Sequence, residues 1–139
     1  MAVIEIQHYL SRARDFRKGM ELMELMKEDP TEYRYSSALL GIHGAISYCD
    51  ALRAGMGSKK LSSEDHSRAA SELKSLLDSR RFEQKQGVRH FKLLLSCKTR
   101  ISYAAEMVTT SEIEDVVKRA IRFADWAEET GEALKIEGW

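Results

Sequence analysis

Proline occurs once, at Pro30, and the eight glycines fall in only a few places, so the breakers that punctuate a sheet protein are missing. The two cysteines, Cys49 and Cys97, lie in neither a Cys-x-x-Cys motif nor a Cys/His cluster, which excludes a thioredoxin-like redox motif and a zinc site. Both are expected to be buried and reduced. Long apolar runs are also absent: stretches such as Leu93–Leu95 are far short of the roughly 20 residues that cross a bilayer, so no membrane partner is expected. Glu5 and His8 interrupt the first residues before an apolar segment of signal-peptide length can form, and cytoplasmic residence is the expectation. The chain has no HExxH, no Gly-rich phosphate loop ending in Lys-Ser/Thr, no GxSxG elbow and no paired Glu-x-x-His motifs of the di-iron bundle type. No metal or cofactor is expected.

Of the 139 residues, 43% are apolar and 32% charged, and the mean hydropathy is -0.42, which fits one folded core rather than a disordered or membrane chain. A single domain over 1–139 accounts for that length. Twenty-two cations balance 22 anions, so the whole chain has no bias toward nucleic acid. The distribution is uneven. Arg80, Arg81, Lys85, Arg89, Lys92, Lys98 and Arg100 stand against Glu83, whereas Asp125, Glu128, Glu129, Glu132 and Glu137 stand against Lys135. These are either solvated helix faces whose charges meet in the fold or in a dimer, or a basic groove for an anion.

Apolar residues at three- and four-residue spacing predict five helices. The first, over about 2–27, carries Ile6, Leu10, Ala13 and Met20 and stops at Glu-Asp-Pro 28–30. The second starts near Thr31, carries Tyr35, Ala38, Leu39, Ile42, Ala45, Ile46, Cys49 and Leu52, and ends at Gly55-Met-Gly57. Gly41 and Gly44 inside it cost about 1 kcal/mol each relative to alanine, which close approach of another helix would offset. Its small-residue face could therefore hold a helix of another chain. Ser62 or Ser63 can cap a third helix with Ala69, Leu73, Leu76 and Leu77 inward, fading near Arg80. After the polar connection from Arg81 to Gly87, a fourth helix carries Val88, Phe91, Leu94, Leu95, Ile101, Ala105 and Val108. A fifth begins at Thr110, with Thr109 and Glu112 at capping-box spacing and Val108 and Ile113 at staple spacing. Five such stripes are best buried in an all-α antiparallel bundle.

His90 and Cys97 share a helix face but lack a third ligand, and His43 reads as a hydrogen-bonded core or interface histidine. His8 and His66 carry no further signal. Chemistry concentrates in the run from His90 to Tyr103, where Arg100 and Tyr103, three apart, share one helical surface near Lys98.

The order of a small-residue helix (Tyr35 to Gly55), a Leu-rich helix running into Lys98-Thr-Arg-Ile-Ser-Tyr103, and a capped helix ending Ala120-Ile-Arg-Phe-Ala-Asp-Trp-Ala-Glu128 resembles the HEPN superfamily over roughly Thr31 to Glu129. The resemblance implies a helical bundle that forms homodimers, with an Arg-x4-His motif near the shared cleft that serves metal-independent ribonucleases. It also implies a partner such as a nucleotidyltransferase or another component of a stress or toxin-antitoxin type system. On this chain the motif's arginine falls at Lys98, its polar neighbour at Thr99 and its histidine at Tyr103. A phenol, with an ordinary pKa of about 10, is a poor proton carrier near neutrality, and lysine lacks the planar fork of arginine. The expected function is therefore non-catalytic binding of RNA, a nucleotide or a partner protein, with His90, Lys98, Arg100 and Tyr103 as the candidate site. The alternatives are a ribonuclease in which His90 replaces the missing histidine, and a structural partner protein with no nucleotide; for the site residues themselves the plainer reading is that Tyr103 packs in the core with its hydroxyl bonded while Lys98 and Arg100 neutralise acids such as Glu106 or those of the fifth helix.

Overall fold

The computed structural model describes residues 2–59 and 66–139, so the Ser62 and Ser63 caps lie outside the described residues. The apolar stripes become α1 (Ala2–Met26), α2 (Arg34–Gly55), α3 (His66–Ser79), α4 (Gln86–Tyr103) and α5 (Thr110–Ala133), with no strand among the described residues. None of these helices is long and apolar enough to cross a membrane.

Helix α2 is the axis of the bundle. It touches all four other helices, whereas α1 meets α5 but neither α3 nor α4 among the described residues. Its burial extends to Ser37, Ser47, Tyr48 and Arg53, so it has little of the polar face that a surface helix keeps. Small residues allow this. A Cβ on Gly41 would lie 2.8 Å from the Met20 sulfur and 2.9 Å from the Ala120 Cβ, and one on Gly44 would lie 3.5 Å from the Ala13 carbonyl oxygen. Helix α1 thus runs antiparallel to α2, while α5 runs parallel, with Gly41 beside Ala120 and Tyr48 bonded to Glu128. The small-residue face that could have held another chain is occupied by α1.

Helices α4 and α5 form an antiparallel pair. Arg100 faces Glu112 at one end, and Gly87 lies under the Trp126 ring at the other. Between them Phe91 stacks on Phe123 with centroids 5.2 Å apart, and the Trp126 indole N–H donates to the Gln84 carbonyl at 2.8 Å.

Two boundaries differ from the sequence expectation. Residues 31–33 form a turn in which Tyr33 has a φ of 52°, so α2 begins at Arg34 rather than Thr31. Helix α4 stops at Tyr103, leaving Ala105 exposed and Val108 buried in the connecting loop instead of on the α4 stripe. Nothing in Ala-Ala-Glu-Met breaks a helix; tertiary anchoring does. The Val108 N–H donates to the Tyr35 hydroxyl at 3.1 Å, and Thr109, in extended conformation, accepts from the Glu112 N–H at 3.1 Å to cap α5 at the predicted place.

Among the described residues no ion pair joins the acids of the C-terminal segment to the bases of the α4 segment. Glu128 accepts two bonds of 2.8 Å from Arg14 and one of 2.8 Å from Tyr48, and Asp125 pairs with Arg17 at 2.6 Å, which ties α1, α2 and α5 together. Burial, followed by the bond to Glu128, raises the pKa of Tyr48. On the other side of α2, Arg53 is 3% exposed and binds Glu72 at 2.7 Å and Asp50 at 3.3 Å. Burial outweighs the Arg53 charge and pushes Asp50 up to about 6.

Gly87→Ala places a Cβ 2.0 Å from the Trp126 ring and should destabilise the fold by about 1–3 kcal/mol in urea unfolding, without a change in slope. The raised Asp50 pKa means that the folded state prefers the protonated acid. Its contribution is complete below the unfolded value near 4 and disappears as pH rises through about 6. Asp50→Asn should therefore stabilise the protein by about 1 kcal/mol at pH 8, and this gain should vanish by about pH 4, compared by thermal melts.

Candidate functional site

His90, Lys98, Arg100 and Tyr103 all lie on α4, but successive residues turn by about 100°, so the four do not share one face, although Arg100 and Tyr103, three apart, lie on neighbouring positions of the same side. Lys98 is half-buried on the side toward α2, where its charge acts on His43. Arg100, about 200° around the helix, turns to the α5 seam. Its guanidinium reaches Glu112 at 2.9 and 3.1 Å and Glu106 at 3.1 Å, and these two carboxylates raise its pKa and neutralise it. Tyr103 ends the helix with 83% of its surface exposed and no hydrogen bond among the described residues. The four residues therefore do not form one site, and Lys98 and Tyr103, the two motif positions, do not converge.

His90 has the most developed surroundings. The α4–α5 register that sets Arg100 against Glu112 and Gly87 under Trp126 brings His90 to Arg119 and Arg122 of α5, and Arg89 adjoins it on α4. Burial, followed by the charges of Arg119, Arg122 and Arg89, holds the imidazole below the ordinary histidine value. Its Nδ1 is enclosed with no hydrogen-bond partner. The tautomer with the proton on Nε2 is favoured, because an enclosed unpaired N–H is worse placed than a lone pair and three cations oppose a second proton. Arg119 is held by Asp115 at 2.9 Å, whereas Arg89 and Arg122 are exposed with no carboxylate partner among the described residues.

At the two ends of α4 the basic residues are paired. Ten residues along α4, or about 15 Å, Arg100 is saturated by its two glutamates. In the other direction Lys85 is paired with Asp78. Between these ends, Lys92 on α4 and Lys118 on α5 are exposed with no carboxylate partner among the described residues, so the positive surface extends beyond Arg89 and Arg122.

His43 is exposed in mid-α2 rather than enclosed in the core, with the Phe16 ring 6.1 Å away. Partial burial, then Lys98 and His66, lower its pKa. No group of three metal-ligating side chains occurs among the described residues. A void of about 10 Å³ beside Gly41, Gly44 and Tyr48 accommodates one water at most, whereas an open cleft of about 370 Å³ between Arg14, Arg17, Lys18, Glu21, Tyr48 and Glu128 lies at the surface of the same three helices.

No family model matches the chain, and neither does any curated protein or solved structure.

Sequence reasoning missed Arg89, Arg119 and Arg122. Arg119 and Arg122, spaced by three on α5, were visible as a shared helical surface, but their proximity to His90 depends on a register between two helices that neither helix encodes alone. Arg122→Ala should raise the His90 titration midpoint toward the ordinary histidine value, followed by NMR of the ring protons; an unchanged midpoint would contradict the convergence described here.

Proposed function

We propose that the chain is a non-catalytic HEPN-like module that binds RNA or a nucleotide by phosphate at the α4–α5 seam around His90. The observation that carries this reading is that the charges of Arg119, Arg122 and Arg89 all act on one half-buried imidazole, while Arg89 and Arg122 have no carboxylate partner among the described residues. Like charges held together in the free protein repel one another, and an anion placed among them relieves that repulsion. Guanidinium groups suit a phosphate because their planar fork can donate two parallel bonds to its oxygens. The five-helix order and the capped last helix agree with what the HEPN resemblance implies about architecture, and so support it.

The absence of catalysis rests on the altered motif. Tyr103 stands open to solvent where the family has histidine, and Lys98 lies away from it, so no proton-transfer pair is assembled. The ribonuclease alternative draws on one observation, that Lys98 has the pKa-lowered imidazole of His43 for a neighbour.

Binding of a short, labelled single-stranded RNA should weaken as salt rises. Arg89→Ala/Arg122→Ala should remove most of that salt dependence and lower affinity about tenfold or more, while Lys98→Ala/Arg100→Ala should leave affinity within about twofold. Equal losses in the two double variants, or no salt dependence in the parent protein, would overturn this reading. With chelator present the RNA should stay intact; cleavage that disappears in His43→Ala would favour the ribonuclease instead.

A further inference from the structure

A second surface, separate from the α4–α5 seam, lies at the end of the bundle where α1 finishes and α2 begins. We infer that this end docks a basic amphipathic helix of a partner protein. Leu22, Leu25 and Met26, spaced by three and four, form one side of the last turns of α1, and each is more than half exposed. Earlier on the same side of the helix stand Ser11, Asp15 and Lys18, all exposed. The apolar turn is therefore a local departure from a polar outer face, and not a continuation of the buried stripe.

Neighbouring elements add to it. The Ser37 hydroxyl donates to Glu24 at 2.7 Å, which sets the end of α1 against the start of α2, and the bond from the Val108 N–H to the Tyr35 hydroxyl brings the α4–α5 connection to the same end. Tyr33, Tyr103 and Met107 are exposed there as well, and among the described residues only Ile4, of the exposed large hydrophobic side chains, lies elsewhere. Tyr33 also holds a φ of 52°, a conformation that glycine or asparagine takes at lower cost. The Glu32 carboxylate fixes the turn that precedes it by accepting from the Glu28 and Asp29 N–H groups at 2.6 and 3.1 Å. Exposed apolar side chains gathered in this way and rimmed by polar residues mark an interaction surface.

Charge selects the occupant. Glu28, Asp29, Glu32 and Glu114 have no Lys or Arg partner among the described residues, and Glu106 and Glu112 share the single guanidinium of Arg100. Lys27 is held by Glu24 at 2.7 Å, which leaves Lys18 and Arg34 as the cations without a carboxylate partner beside the apolar turn among the described residues. Lys98 and Lys118 stand about a turn or more deeper along their helices. The end is thus acidic in balance. A nucleic-acid strand or an anionic bilayer meets repulsion there, and a second copy set end to end would oppose the same acids. A helix with apolar residues on one side and Lys or Arg around them satisfies both features at once, its apolar side against Leu22, Leu25 and Met26 and its cations toward the acids.

The test uses the full chain and a labelled peptide of about 15 residues with Leu on one helical side and Lys elsewhere, compared with the same peptide carrying Glu in place of Lys. By fluorescence anisotropy the Lys peptide should bind about tenfold or more tighter than the Glu peptide, and the preference should shrink as salt rises. Leu25→Ser/Met26→Ser should weaken binding of the Lys peptide about tenfold or more, with helix content by circular dichroism unchanged because both side chains are exposed. Glu28→Lys/Glu114→Lys should bring the two peptides within about twofold of each other. Arg89→Ala/Arg122→Ala should leave both affinities as they are.

Equal binding of the two peptides, full affinity in Leu25→Ser/Met26→Ser, or no binding of the Lys peptide up to about 100 µM each overturns the inference. So does a dimer, seen by sedimentation, that dissociates in Leu25→Ser/Met26→Ser, because the end then belongs to a second copy. Binding to phosphatidylserine vesicles that is lost in the same variant overturns it in favour of a lipid surface. All of these outcomes leave the phosphate reading of the seam untouched, since that reading is tested by RNA and by other residues.

Discussion

Close approach along α2 is the constraint on which the rest of the molecule depends. Gly41 lets α1 and α5 come near enough that the Met20 sulfur and the Ala120 Cβ would collide with an added Cβ, and Gly44 lies against the α1 backbone at Ala13 and Arg17. This brings Arg14 and Arg17 within reach of Glu128 and Asp125, and Tyr48 within reach of Glu128. The small residues therefore decide an electrostatic outcome as well as a steric one. Because α1 neutralises Asp125 and Glu128, those acids do not reach the basic helix α4.

The neutral composition conceals this division. Twenty-two charges of each sign cancel over the chain, but they are partitioned by helix packing. One set of pairs joins α1 to α5, another neutralises Arg100 at the start of α5, and a third is buried around Arg53. Arg89, beside His90, is one of the cations of the basic segment left without a carboxylate partner among the described residues once those pairs have formed, together with Lys92 and Lys98. Exposed ion pairs of this type contribute little to stability, so their main effect here is on where an anion finds uncompensated positive charge.

Much of the fold was legible in the sequence. The stripe of α1, the Gly-Met-Gly stop after α2 and the Thr109 cap are local patterns, and each appears where its chemistry required. Two features were less accessible. A helix surrounded on most sides has no polar face, so a one-face reading of α2 missed the burial of Ser37, Ser47 and Arg53. The end of α4 was also hidden, because Ala104 to Met107 favour helix locally and are overruled by the burial of Val108 and its bond to Tyr35. For the candidate site, the sequence supplied His90 but not its neighbours. For Arg100, pairing with Glu106 or with acids of α5 was one of the two sequence readings, and Glu106 and Glu112 both hold it.

The pairing of Gly87 with Trp126 adds something else. Trp126 lies four residues beyond Arg122, about one turn of α5, and Gly87 lies three residues before His90 on α4. The indole is wedged against bare α4 backbone, anchored to Gln84 and set beside Phe123 at 5.5 Å. A ligand that draws α5 toward α4 at Arg122 must press or relax that wedge. The seam thus has an intrinsic fluorophore one helical turn from Arg122, whose emission reports on how tightly α4 and α5 are packed there.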